Sequence, residues 1–264
     1  MIGEARWHRF TPAERALRCG LYLGAALAFV AALRSIEVIP EFLRDTPAQV
    51  SDLLVRMWPV DWGFLLATVV GAMIETLHIA TLGTLVTLAL AFPLGVISAR
   101  NVVASPGVRF LARLCLVSSR SVNSLVWALF FVAVFGPGPL AGTVAIVCRS
   151  IGFVGKLTGE AIEQIHPGPV EAIQAAGAPW ANVFLKGIWP QIRPAFASIA
   201  LLRWDINVRE SSVLGLVGAG GIGMVLDASI NVFHWREAAA VLVAIALVVL
   251  AAELVVTLVR KRLL

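Results

Sequence analysis

Arg203, Asp205, Asn207, Arg209 and Glu210 fall within eight residues of an otherwise apolar stretch, followed by Ser211 and Ser212. An ionised group left facing hydrocarbon costs several kcal/mol, so such groups face protein or a water-filled path. At about 100° per residue, a helix puts Arg203, Asn207 and Glu210 on one face and Asp205, Arg209 and Ser212 on the nearly opposite one. Asp205 and Arg209, four apart, can pair. The chemistry on offer is recognition of an anion: one face neutralised inside protein, the other presenting Arg203 or Asn207 to a charged solute. The alternative is that both arginines only hold helices together. Arg149 stands near the middle of another apolar stretch and needs a partner, for which Glu210 is a candidate. Lys156 and Arg120 also lie in or near spans; Arg120 lies within snorkelling reach of a membrane surface and reads as structural.

The polar stretch runs on into Gly215-Leu216-Val217-Gly218-Ala219-Gly220-Gly221-Ile222-Gly223, which contains a formal G-x-G-x-x-G at Gly218, Gly220 and Gly223. A dinucleotide site needs that pattern between a strand and a helix. Here it follows an apolar span, so Gly218, Gly220, Gly221 and Gly223 read as a close-packed or flexible turn on the extracytoplasmic side. The sequence has no P-loop, H-E-x-x-H, G-x-S-x-G or metal-ligand cluster. Cys19, Cys115 and Cys148 lie in apolar stretches without metal spacing and read as small buried hydrophobes, and the lone His78 as an ordinary packed residue. No catalytic site, metal or cofactor is expected in this chain.

The elements that position these residues follow from composition. Of 264 residues, 59% are hydrophobic and 14% charged, where a soluble domain carries about a quarter charged. Lipid must cover the excess apolar surface. The net charge of +5 punctuates apolar runs and does not cluster among polar ones, which argues against nucleic acid. Stretches 17–38, 73–98, 114–135, 140–161, 194–216 and 238–259 are each apolar and long enough to span. The predicted fold is therefore all-α, with six transmembrane helices in a single domain, 17–264, after a short polar segment, 1–16. The first run leads to no small-residue cleavage site and reads as a retained span.

Six spans put Arg6, Arg9, Arg15, Arg18, Arg100, Arg109, Arg113, Lys156, Lys186, Arg193, Arg260, Lys261 and Arg262 on one side, and Arg34, Arg44, Arg56 and Arg236 on the other. That bias places both termini, with segment 1–16, in the cytoplasm. Residues 39–62 carry spaced apolar positions and predict an amphipathic interfacial helix.

The cytoplasmic connection 163–193 is patterned. Pro169 suits the start of a helix that Gly177 stops, Pro179 opens a second, and Pro190 ends it. Trp180, Val183, Phe184, Gly187 and Ile188 form one apolar stripe. Two short helices make a knob that either fits a groove on another protein or lies on lipid.

Glu171-Ala172-Ile173, with Gly177 and then Pro190, resembles the EAA loop through which permeases of ATP-binding cassette importers dock their ATPase subunits. The family has a third alanine where this chain has Ile173. Arg203 through Gly223, Gly155-Lys156 with Glu160 through Ala172, and Phe135 through Gly142 are similar to phosphonate-type importer permeases, over about residues 76–258. That resemblance implies a multi-pass subunit of a bacterial inner membrane that carries a phosphonate, phosphite, hypophosphite or phosphate ion by alternating access. It implies a homodimeric or heterodimeric permease core with the homodimer favoured. Two ATPase subunits would hold ATP and Mg²⁺, and an extracytoplasmic binding protein would deliver the solute. Glu171, Ala172, Gly177 and Pro190 would couple to the ATPases; Arg203, Asn207, Arg209, Glu210 and Arg149 would line the path. The alternatives are an importer permease for another small solute such as an amino acid, an intramembrane enzyme, or a secondary transporter using a proton on Glu210 or Asp205.

Overall fold

The structure is a computed structural model that describes residues 10, 12–35 and 40–263. Much of the predicted segment 1–16, with Arg6 and Arg9, and the last residues of the predicted span 17–38 lie outside the described residues. Every regular element among the described residues is a helix.

Two compact units divide at Leu53 and Leu54. The first holds α1 (Pro12–Ser35) and most of α2 (Pro40–Met57). The apolar Ala13–Ser35 stretch of α1 is 23 residues long and exposes its side chains, Leu21 and Phe29 among them. At 1.5 Å per residue this is about 35 Å, enough to cross a bilayer. α2 is the expected amphipathic helix, with Phe42, Leu53, Leu54 and Met57 set among Glu41, Arg44, Asp45 and Arg56.

In the second unit the end of α2 is followed by α3 (Trp62–Phe64), started by the Asp61 carboxylate accepting the Phe64 N–H at 2.9 Å. A π-helical turn, Leu65–Val69, leads directly into α4 (Val70–Ser98). Together they make one 37-residue span, Trp62–Ser98, longer than the predicted 73–98. The predicted span 114–135 falls in two helices, α5 (Pro106–Ser121) and α6 (Ser124–Phe135), which meet at 87°. Val122 and Asn123 adopt extended backbone, and the Asn123 side chain accepts the Leu125 N–H as the cap of α6.

α7 (Pro139–Glu163) matches its expected span. The knob follows as α8 (Pro167–Ala175) and α9 (Trp180–Val183). Pro190 does not end a helix, contrary to expectation. α9 passes through a π-helical turn, Phe184–Ile188, into α10 (Trp189–Leu214), whose second residue is Pro190. α10 thus starts five residues before the predicted span 194–216, and Pro194 lies inside it. A 3₁₀ turn, Gly215–Val217, then leads to α11 (Ile222–Asn231), which the sequence did not signal, and α12 (Trp235–Leu263).

The second unit has two ends. Ser98, Arg113 and Glu163 meet beside the knob; Gly138 and Gly218 meet at the other end through a 2.9 Å backbone bond. α5 starts at the knob end and α6 finishes at the glycine end, so the bent pair completes one crossing.

α7 is the centre, and it holds its neighbours by having nothing on one face. A Cβ on Gly152 would collide with the Leu116 carbonyl, on Gly155 with the Leu116 side chain, and on Gly159 with the Ser98 hydroxyl. On α4, a Cβ at Gly95 would stand 2.9 Å from the Gly155 carbonyl. Small residues spaced this way let helices approach closely where no hydrophobic effect drives them together. Cys19, Cys115 and His78, expected to be packed, are instead exposed; apolar neighbours in sequence mark lipid contact as readily as a core. The collision at Gly152 involves backbone, so Gly152→Ala should destabilise the detergent-purified chain by about 2 kcal/mol in thermal unfolding. Gly107→Ala, in open space within α5, should not lower the melting temperature.

Candidate functional site

A polar layer crosses the middle of the second unit. Glu210 of α10 binds two cations: Arg149 of α7 reaches its Oε1 at 2.6 Å, and Arg203, two turns earlier on α10, reaches its Oε2 at 3.3 Å. Arg149 also donates to Ser124 Oγ at 3.1 Å, at the start of α6. Arg203 Nε donates to Ser150 Oγ at 2.8 Å, and Ser150 donates to Asn207 Oδ1 at 3.2 Å. The Asn207 amide donates to Thr84 Oγ1 of α4 at 2.8 Å. The layer therefore ties α4, α6, α7 and α10 together through side chains alone.

The two helical faces read from the sequence are real and distinct. Arg203 is 3% exposed and Asn207 fully buried, while the Arg149 side chain is 33% exposed. Two guanidinium groups against one carboxylate leave this face with one surplus positive charge, reachable from the Arg149 side. On the other flank, Arg209 pairs with Asp205 one turn away; Asp205 is buried and Arg209 half exposed. Trp204 donates its indole N–H to Thr81 Oγ1 at 3.0 Å. All five residues expected to line a path lie in or beside this layer, with Arg203 and Asn207 as its buried core.

At the glycine end the backbone requires glycine. Gly218, Gly220 and Gly221 have φ of 84°, 86° and 74°, the left-handed region, and Gly223 sits in the first turn of α11. The turn is close-packed: a Cβ on Gly221 would overlap Thr76 Oγ1. Two residues of α4 cap α11, a role sequence reasoning missed. Glu75 Oε1 accepts the Gly221 N–H at 3.0 Å and Thr76 Oγ1 accepts the Ile222 N–H at 2.8 Å. The signal was there in Glu75, a lone acid on an apolar stretch, at a helix N-terminus where negative charge is favoured.

At the knob, Glu171, Ala172 and Gly177 are exposed, with Gly177 at φ 74° closing α8. Pro190 is exposed on the first turn of α10. Ile173 and Val170 turn inward onto Gly187. Phe92 of α4 meets Phe184, Trp189 and Phe196 edge-on at centroid distances of 6.2, 5.6 and 5.2 Å. Gln191, also missed, clamps the knob: Oε1 accepts the His166 N–H at 3.0 Å, and Nε2 donates to the Gly187 carbonyl at 2.7 Å and the His166 carbonyl at 3.3 Å.

The sequence profile of the family described as binding-protein-dependent transport system inner membrane component matches residues 91–264. The chain belongs to this family. As a binding-protein-dependent transport component it is a multi-pass membrane protein, and its relatives carry specific names. It is 35% identical over 250 residues to the phosphate-import permease protein PhnE of Mycolicibacterium smegmatis, covering 95% of this chain and 47% of that one. It is 41% identical over 173 residues to the phosphite transport system permease protein PtxC of Stutzerimonas stutzeri, covering 66% and 63%. The chain thus spans about half the length of the first relative and under two thirds of the second. An inward-facing structure of the MetNI methionine ABC transporter shares the fold, with a TM-score of 0.64 at 21% identity over 74% of this chain and 96% of that one.

In this transport component, Glu210 holds two cations, one buried and one partly buried. Glu210→Gln should cost about 3 kcal/mol or more in thermal unfolding of the purified chain, because it leaves both guanidinium groups uncompensated. Glu160→Gln, which breaks the exposed Lys156–Glu160 pair, should cost under about 1 kcal/mol. Equal losses would remove the distinction between the layer and the surface.

Proposed function

We propose that this chain is the channel-forming permease subunit of an ATP-driven importer for a small phosphorus oxyanion: a phosphonate, phosphite or hypophosphite. The observation that carries the reading is the surplus positive charge of the mid-bundle layer, two arginines to one carboxylate, approachable beside Arg149. A path that must release its cargo does better with a weak, partly satisfied cation than with a deep site. Relatives named for phosphate and phosphite transport support the choice of anion.

The assembly follows from what one chain leaves undone. Arg209 is half exposed on a span and cannot face lipid cheaply, so a second permease subunit, a copy of this chain, covers that flank. The aligned stretch is 95% of this chain but 47% of the Mycolicibacterium relative, which is therefore about twice as long, with room for two such units. The charge bias puts both termini and the knob in the cytoplasm, and the glycine turn at the outer mouth. Glu171, Ala172 and Gly177 then face two ATPase subunits, which bind ATP and Mg²⁺, and Pro190 begins the span they drive. Motion of the knob passes through Gln191 and the Phe92 ring cluster to α10 and α4. The spans alternate access, and an extracytoplasmic binding protein supplies the anion.

In cells expressing the complete system, Arg149→Met should lower uptake of radiolabelled phosphite at least about tenfold, with normal amounts of assembled complex in the membrane. Glu210 keeps Arg203 in that variant, so the fold persists. Unchanged uptake would remove the path from this layer.

A further inference from the structure

A second group of cations lies apart from the mid-bundle layer. Near the knob end a cavity of about 270 Å³ opens between α5 and α7, lined by Arg100, Arg113, Arg120, Lys156, Glu160 and Glu163. The four cations outnumber the two carboxylates, leaving a surplus of two positive charges. Both carboxylates are already engaged. Glu163 Oε1 takes Arg113 Nη2 at 2.7 Å and the Arg100 backbone N–H at 2.8 Å; Glu160 takes Lys156 Nζ at 3.3 Å. Among the described residues, no carboxylate stands within ion-pair distance of the Arg100 or Arg120 side chains. Arg120 arises beside Gly152, deep along α7, yet its side chain reaches the same cavity as Lys156 and Glu160.

The wall beside this cavity is greasy. Val117 lines it and is 52% exposed; Leu114 and Phe110 continue the line along α5 at 50% and 65% exposed. At i, i+4 and i+7 they form one stripe on the helix. A cationic pocket capping an outward-facing apolar stripe has the chemistry of a phosphate ester carrying hydrocarbon chains. Free inorganic phosphate would use the cations and leave the stripe unused.

We propose that this cavity binds the phosphodiester headgroup of an anionic phospholipid, with Arg100 and Arg120 as its open cations and acyl chains along Phe110, Leu114 and Val117. Basic pockets between transmembrane helices take anionic headgroups in this way. The lipid joins α5 to α7 at the height of the knob, where Arg113 already bonds the Ser98 carbonyl at 2.9 and 3.1 Å. The sidedness proposed above decides only which leaflet supplies the lipid.

The test is native mass spectrometry of the detergent-purified chain with the partners that copurify, titrated with phosphatidylglycerol or phosphatidylcholine. Detergent offers lipid from every side, so a failure here is distinct from a failure of topology or transport. Phosphatidylglycerol should be retained over phosphatidylcholine. Arg120→Ala and Arg100→Ala should each weaken that retention about fivefold, and Arg120→Lys should restore it. Arg100 lies on the exposed turn between α4 and α5, so its variant carries the test if Arg120→Ala does not fold. Equal retention of the two lipids, undiminished retention in Arg100→Ala, or displacement of phosphatidylglycerol by millimolar inorganic phosphate would each overturn the proposal, the last by showing a free-anion site.

Discussion

Charge inside a low-dielectric bundle has to be answered by charge, and in this protein one carboxylate answers two cations. Glu210 sits between Arg149 and Arg203, and the rest of the layer is arranged so that this sharing works. Ser150 and Asn207 absorb the donors Glu210 cannot reach, and Thr84 closes the chain of bonds on α4. A buried network is stable only when nearly every member is satisfied. The remaining imbalance is located at Arg149, the most exposed member of the trio. Structure and proposed function meet there: the same incompleteness that weakens the layer gives an anion something to touch.

The layer can form only because the helices stand close. Side chains as short as serine and threonine bridge α7 to α10 and α10 to α4, which requires backbones nearer than leucine or phenylalanine would permit. The empty faces of Gly152, Gly155 and Gly159 bring α5 and α4 against α7. At the far end, Glu75 and Thr76 hold the α11 N-terminus against α4, so the chain turns without loosening the bundle. The bundle is thus tied at both ends of α10, and the bend at Val122–Asn123 turns α6 away from α5 where Arg149 bonds Ser124.

Much of this was legible in the sequence, for identifiable reasons. The spans follow from apolar length, and the two faces of α10 from helical period alone. Gly177 and the glycine turn stood out because few residues other than glycine accept those backbone angles. The break before α6 was hidden because an apolar run looks the same straight or bent; only the asparagine in Val122-Asn123-Ser124 marked it. Pro190 misled because a π-helical turn immediately before it carries the helix past the proline, and residue spacing did not announce that turn. Gln191 escaped because its His166 partner lies 25 residues away, and Glu75, though marked as a lone acid, because its partner Gly221 lies 146 residues on.

The Gln191 clamp has a consequence for how the protein can vary. Its amide reads one N–H and two carbonyls, groups that nearly every amino acid carries, and no side chain at all. Position 166 can therefore drift among most residue types without the clamp noticing, although proline would remove the N–H. Position 191 has no such latitude, because few side chains both donate and accept at that reach. The joint between knob and span thus leans on the side chain at 191 and on no side chain of the residues it grips.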